Sequence, residues 1–109
     1  MGSDAGTVAF LLGQMEGAGR MTARKMFGEY GLYLDGKMVA LICDDRLFFR
    51  DLPELREILA EPVLDLPYPG AKPHLVIEDE LDDPETMTRL VTTAWKALPE
   101  PKPRKKRKP

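Results

Sequence analysis

Asp35-Gly36 stands between two apolar-rich runs, residues 30–34 and 37–43, and it narrows the fold of this 109-residue chain more than any other feature. A two-residue hairpin turn of type I′ needs positive φ at both central positions, which Asp and Gly tolerate, so the flanking runs must fold back as strands. That register sets Leu34 opposite Lys37, Leu32 opposite Val39 and Tyr30 opposite Leu41. Asp44-Asp45 marks the next reversal. It lacks glycine, yet Asp accepts the left-handed backbone. A second two-residue turn there pairs Cys43 with Arg46 and Leu41 with Phe48, and a three-stranded antiparallel meander results.

Alternation along the strands then sorts the side chains. One face carries Tyr33, Met38, Ala40, Ile42, Leu47 and Phe49, with Gly31 and Ala40 leaving room for close helix packing. The other carries Tyr30, Leu32, Leu34, Val39, Leu41 and Phe48, with Lys37, Arg46 and Arg50 toward its edges. An antiparallel sheet with one wet face alternates apolar and polar residues. This one does not. The second face is therefore either covered by another part of the chain or used against a partner or second copy. Tyr30, Leu32, Val39, Leu41 and Phe48 are its candidate contact residues.

Helical signals flank the meander. Val8, Leu11, Leu12 and Met15 recur at helical spacing, with Ser3, Asp4 or Thr7 available as the cap and Gly17-Ala18-Gly19 as the stop, which predicts a helix from about residue 5 to 17. Residues 22–27 read as a short extended piece. Asp51-Leu52-Pro53 opens a short helix, with Asp51 as its cap, Leu55, Ile58 and Leu59 on one side and Pro62 as its end. A proline-rich connection, residues 65–73, leads to a short strand at Leu75-Val76-Ile77. Asp83-Pro84-Glu85 starts the clearest helix, whose stripe of Met87, Leu90, Val91, Ala94, Trp95 and Leu98 is stopped by Pro99. The length suits one domain. The expected class is α+β in two layers, an antiparallel sheet (the meander plus one or two further strands) with helices packed on it, in the order α-β(3)-α-β-α.

The run TARKMFGEYGLYLDGKMVALICDDRLFFR, residues 22–50, followed by PYPGAKP at 67–73 and a helix ending AWKALP at 94–99, closely resembles the N-terminal domain of the TfoX/Sxy family of bacterial competence regulators. The resemblance covers about residues 5–98. It implies a two-layer α+β domain on an antiparallel sheet, in agreement with the element order above. It marks Arg24, Met26, Phe27, Gly28, Tyr30 and Gly31 as the family's signature segment, with roles in architecture and contact. Two-domain members promote transcription of DNA-uptake genes together with the cyclic-AMP receptor protein. They add a helical C-terminal domain, so the resemblance here is to a stand-alone form.

Catalytic chemistry finds little support in the residues. His74 is the only histidine and Cys43 the only cysteine, too few soft ligands for a usual structural zinc site. A lone His at a strand start serves more often as a surface or capping group than as a general base. A reactive thiol needs a positive neighbourhood, which Arg46 offers Cys43 and Asp44-Asp45 oppose. The acidic run 78–85 lacks the ligand spacing and central Gly of a calcium loop, and a helix start explains it. Gly28, Gly31 and Gly36 precede no helix that could hold phosphate. Tyr30, Tyr33, Phe48 and Phe49 divide between two faces, unlike a nucleic-acid stacking platform. No catalytic, metal-binding or cofactor-binding residue is assigned, and the expected protein is not an enzyme.

Charge is segregated. Residues 1–99 hold ten basic and seventeen acidic groups, and residues 100–109 hold six basic groups and one acid. We therefore expect a domain over 1–99 and a basic disordered tail over 100–109. Lys102, Arg104, Lys105, Lys106, Arg107 and Lys108 are candidates for weak, salt-sensitive, sequence-independent nucleic-acid contact. The longest early apolar run, residues 8–12, is too short to span a bilayer, and Asp4 stands where a signal peptide would be positive. With a single cysteine, these features point to a cytoplasmic protein. The expected activity is regulatory: contact with a protein of the transcription machinery or a regulator, or with a second copy. The alternative is a DNA-associated accessory module held by the tail.

Overall fold

The computed structural model describes residues 4–26 and 29–99. Among them, helix α1 (Ala5–Gln14) runs into a 3-10 turn (Glu16–Ala18). Four strands follow: β1 (Met21–Met26), β2 (Glu29–Leu34), β3 (Lys37–Cys43) and β4 (Arg46–Arg50). A one-turn helix α2 (Pro53–Arg56), strands β5 (Leu64–Asp65) and β6 (His74–Ile77), and helix α3 (Pro84–Ala97) complete the chain. The strands form one six-stranded sheet, β1-β2-β3-β4-β6-β5, in which every neighbouring pair is antiparallel. The α+β class, the antiparallel sheet and the packed helices are as expected. The sheet is wider, because residues 21–26 form a full edge strand and β5 adds an outermost one.

Both hairpins close on two residues. Asp35 and Gly36 have φ of 51° and 84°, and Asp44 and Asp45 have 54° and 61°, the double positive φ that a type I′ turn requires. Cys43 pairs with Arg46 and Leu41 with Phe48, as predicted. The β2–β3 register departs from expectation. Leu34 faces Lys37 and Tyr33 faces Met38 as the predicted register requires, but Leu32 faces Ala40, so Val39 is an extra, unpaired residue. Such a β-bulge lets two consecutive side chains lean to one side of the sheet. Val39 and Ala40 are both buried in the main core. Beyond the bulge, Tyr30 faces Ile42 and Gly31 faces Leu41.

The bulge redistributes the faces read from simple alternation. Leu32, Leu34, Val39, Ala40, Ile42, Leu47, Phe49, Leu75 and Ile77 make one apolar face. On it pack Val8, Leu11 and Met15 around α1, Leu55 and Leu59 at α2, and Met87, Leu90, Val91, Ala94 and Leu98 from α3. Full burial of such a side chain contributes roughly 1.5–3 kcal/mol, so this layer holds the fold. Asp4 caps α1 by accepting the Gly6 N–H at 3.3 Å. Its own N–H donates to Asp45 Oδ1 at 2.6 Å, tying the helix start to the second hairpin. Asp83 caps α3, accepting the Thr86 N–H at 3.3 Å and the Thr86 hydroxyl at 2.7 Å. Asp51 does not cap α2. Leu52 occupies that position without a side-chain bond, because both Asp51 oxygens are taken by Arg56 at 2.7 and 3.1 Å.

Among the described residues, one charged side chain crosses into this apolar layer. Lys37, 6% exposed, follows the first hairpin turn. Its Nζ donates to the Trp95 carbonyl at 2.6 Å and the Leu98 carbonyl at 2.9 Å, and lies 4.4 Å from the Trp95 ring centroid. The end of a helix leaves carbonyls without partners and carries partial negative charge, so an ammonium there satisfies both. In return, Trp95 Nε1 donates to the Leu34 carbonyl at 3.0 Å. The clasp fixes the end of α3 against the first hairpin. Replacing Lys37 by Met keeps the stem but strands those carbonyls. We predict a loss of about 2 kcal/mol in urea unfolding, the scale for charged hydrogen bonds; an unchanged midpoint would deny the clasp its role.

Candidate functional site

The sheet face turned away from the helices carries a second, smaller cluster. Cys43, Phe48 and Val76 are buried there, with Leu41 packed beside them. Arg46 closes over it: its guanidinium lies 5.4 Å from the Phe48 ring centroid, 3.1 Å from Asp65 Oδ2 and 3.7 Å from Glu78 Oε2. Exposed ion pairs add little stability, so the geometric effect matters more. They hold Arg46 across the cluster and join β4 to β5. Farther along, Arg24 lies 5.2 Å from the Tyr33 ring. Gly31 is buried where a Cβ would come within 2.9 Å of Met38 Sδ, 3.2 Å of Met26 Cε and 3.3 Å of Tyr33 Cε1.

The five candidate contact residues do not share a face. Tyr30, Leu32 and Val39 pack in the core beneath the helices, whereas Leu41 and Phe48 belong to the smaller cluster on the other side. The bulge at Val39 separates them, so no single docking surface contains all five. Of the signature segment, Arg24, Met26, Tyr30 and Gly31 lie on β1 and β2, where Met26 and Gly31 pack together and Tyr30 lies against the main core. Phe27 and Gly28 lie outside the described residues. So do the tail residues Lys102, Arg104, Lys105, Lys106, Arg107 and Lys108.

Two surface features escape a reading of the sequence. The first is apolar. Among the described residues, six large hydrophobic side chains are exposed, and four of them, Val63, Leu64, Leu66 and Tyr68, fall within six consecutive positions. They lie on and beside β5, the outermost strand. The opposite edge strand, β1, instead exposes Thr22, Arg24 and Lys25, the charged kind of edge that discourages pairing. The second is a groove of about 630 Å³ where β3, β4 and β6 meet the proline-rich loop and the end of α3, with Arg50, Asp51, Lys72 and His74 on its wall. These residues are far apart in sequence, and only the β4–β6 pairing brings them together.

The candidate reactive groups have structural surroundings. Burial pushes the Cys43 thiol above its ordinary range, and the carboxylates of Glu29 and Asp44 add to the effect. Arg46, its cross-strand neighbour, is engaged over Phe48 and with the acids instead. His74 Nδ1 lies 2.7 Å from the Lys72 carbonyl, which makes that nitrogen the donor. In the acidic run, Asp83 is held below the usual carboxylate range, first by the Thr86 hydroxyl and then by the Thr86 N–H.

Residues 13–98 match the family model of the TfoX N-terminal domain. The chain belongs to that family. The TfoX N-terminal domain thus spans the sheet and α3, and its match begins near the end of α1. The chain is also similar to the uncharacterized 12.7 kDa protein in the trpE 5′ region of Spirochaeta aurantia. The two are 38% identical over 105 residues, which cover 96% of this chain and 91% of that protein. No helix among the described residues is long and apolar enough to cross a membrane.

The state of Cys43 in this TfoX N-terminal domain gives a pH-dependent expectation. A thiol whose folded pKa is raised favours the folded state below its unfolded pKa, and that contribution disappears as pH climbs through the folded value. The stability gap between wild type and Cys43→Ala should therefore narrow above about pH 9, measured by urea unfolding across pH. A gap that widens there would mean that the thiolate is stabilised.

Proposed function

We propose that this TfoX N-terminal domain is a non-enzymatic regulatory module of the cytoplasm that acts by protein contact in transcriptional control. Family membership supports the regulatory setting. The contact reading rests on one observation: four exposed apolar side chains gathered at Val63–Tyr68 on the β5 edge. Contiguous exposed apolar surface commonly marks an interaction site. Exposed Glu61 precedes the patch, and Asp65 within it is already paired with Arg46, so the apolar side chains carry the contact. The raised thiol of Cys43 and the carbonyl-bound ring of His74 support a non-catalytic role.

A second reading draws on the charge segregation, with six basic groups in the last ten residues. Retention on duplex DNA near physiological salt, lost when the chain ends at Pro99, would favour a DNA-associated module.

The contact reading predicts that Leu64→Asp and Leu66→Asp leave the unfolding midpoint within about 0.5 kcal/mol of wild type, as exposed substitutions do. They should abolish capture of partners by the immobilised full chain from its own cell extract. The captured proteins should include a transcription factor or polymerase subunit. Equal capture by wild type and both variants would remove the β5 edge as the contact surface.

A further inference from the structure

The groove beside α3 has a charge character opposite to that of the domain. Arg50 and His74 are directly opposed across the β4–β6 pairing, and Lys72 precedes His74 by two residues on the same wall. An acid also stands by Arg50 and His74: Asp51 is held below the usual carboxylate range, first by its hydrogen bond to Arg56 and in smaller part by His74. Asp51, the acidic residue on the wall, gives both oxygens to Arg56. Among the described residues, neither Arg50 nor Lys72 forms an ion pair.

The rest of the groove is apolar, including Leu41, Leu98 and Tyr68, whose residue is 55% exposed. The groove, about 630 Å³ and open to solvent along one side, has room for a small organic molecule. Apolar walls with a few convergent cationic groups are what an amphipathic anion requires. We propose that the groove binds a small organic anion, a carboxylate or phosphate monoester on an aromatic body. Arg50 and Lys72 take the charged head, and Tyr68 with Leu98 takes the ring. The groove shares Tyr68 with the proposed β5 contact surface, but Arg50 and Lys72, which take the head, lie outside that surface.

The test is a nitrogen-15 NMR titration of the full chain with phenyl phosphate, benzoate, inorganic phosphate and phenol. Phenyl phosphate or benzoate should produce saturable shifts at the amides of Leu41, Ala71 and His74, and the tighter of the two identifies the head group. Inorganic phosphate and phenol, each lacking one half of the ligand, should bind more weakly. The double variant Arg50→Gln, Lys72→Gln should retain a dispersed spectrum and bind about tenfold more weakly or worse, as loss of charged hydrogen bonds implies. Absence of saturable shifts with either anion, equal shifts in the variant, equal affinity for phenol, or shifts confined to residues 100–109 would each overturn the proposal.

Discussion

The bulge at Val39 decides which side of every strand becomes core. Without it, Tyr30, Leu32 and Leu34 would share a face with Leu41 and Phe48, and the helices would meet a sheet whose apolar side changes between β2 and β4. With it, Val39 and Ala40 both enter the main core, and Leu32 lies beside Ala40, Ile42, Leu47 and Phe49 on one continuous surface. A one-residue slip reverses the face of a whole strand. Here one inserted residue makes that reversal within β3, and the helical layer assembles on the result.

Fixing the helix face also fixes the surface left for function. At one end of the sheet, Lys37 and Trp95 lock α3 to the first hairpin, which brings Leu98 beside the ends of β3 and β4 and completes one wall of the groove. On the far side, Arg46 closes over Phe48 and reaches Asp65, so the smaller cluster is covered by the chain itself. Part of the second face is thereby intramolecular. Four exposed apolar side chains, Val63, Leu64, Leu66 and Tyr68, remain on and beside β5.

The legible parts of the fold were those encoded locally. Asp35-Gly36 and Asp44-Asp45 declare their turns through backbone tolerance, and Asp83-Pro84 with the stripe from Met87 to Leu98 declares α3. The bulge has no such marker. Val39-Ala40 is an ordinary pair for a strand, and its insertion follows from the joint fit of β2, β4 and the helices. Strand β1 is legible in the sequence only as an extended piece, because Thr22, Ala23, Arg24 and Lys25 lack an apolar alternating face. The Lys37–Trp95 clasp joins residues 58 positions apart, and a lysine following a turn reads as solvent-facing. The candidate site was less legible still: Arg50, Lys72 and His74 meet only through the β4–β6 register, and β5 is two residues long.

Every division made here between core and functional surface descends from the β2–β3 register. The most direct measurement is therefore a set of nuclear Overhauser contacts between opposed residues of these strands. Contacts should pair Leu32 with Ala40, Gly31 with Leu41 and Tyr30 with Ile42, and run from both Val39 and Ala40 to the apolar layer beneath the helices. Contacts pairing Leu32 with Val39 and Tyr30 with Leu41 would contradict that register. They would return Tyr30, Leu32, Val39, Leu41 and Phe48 to a single face.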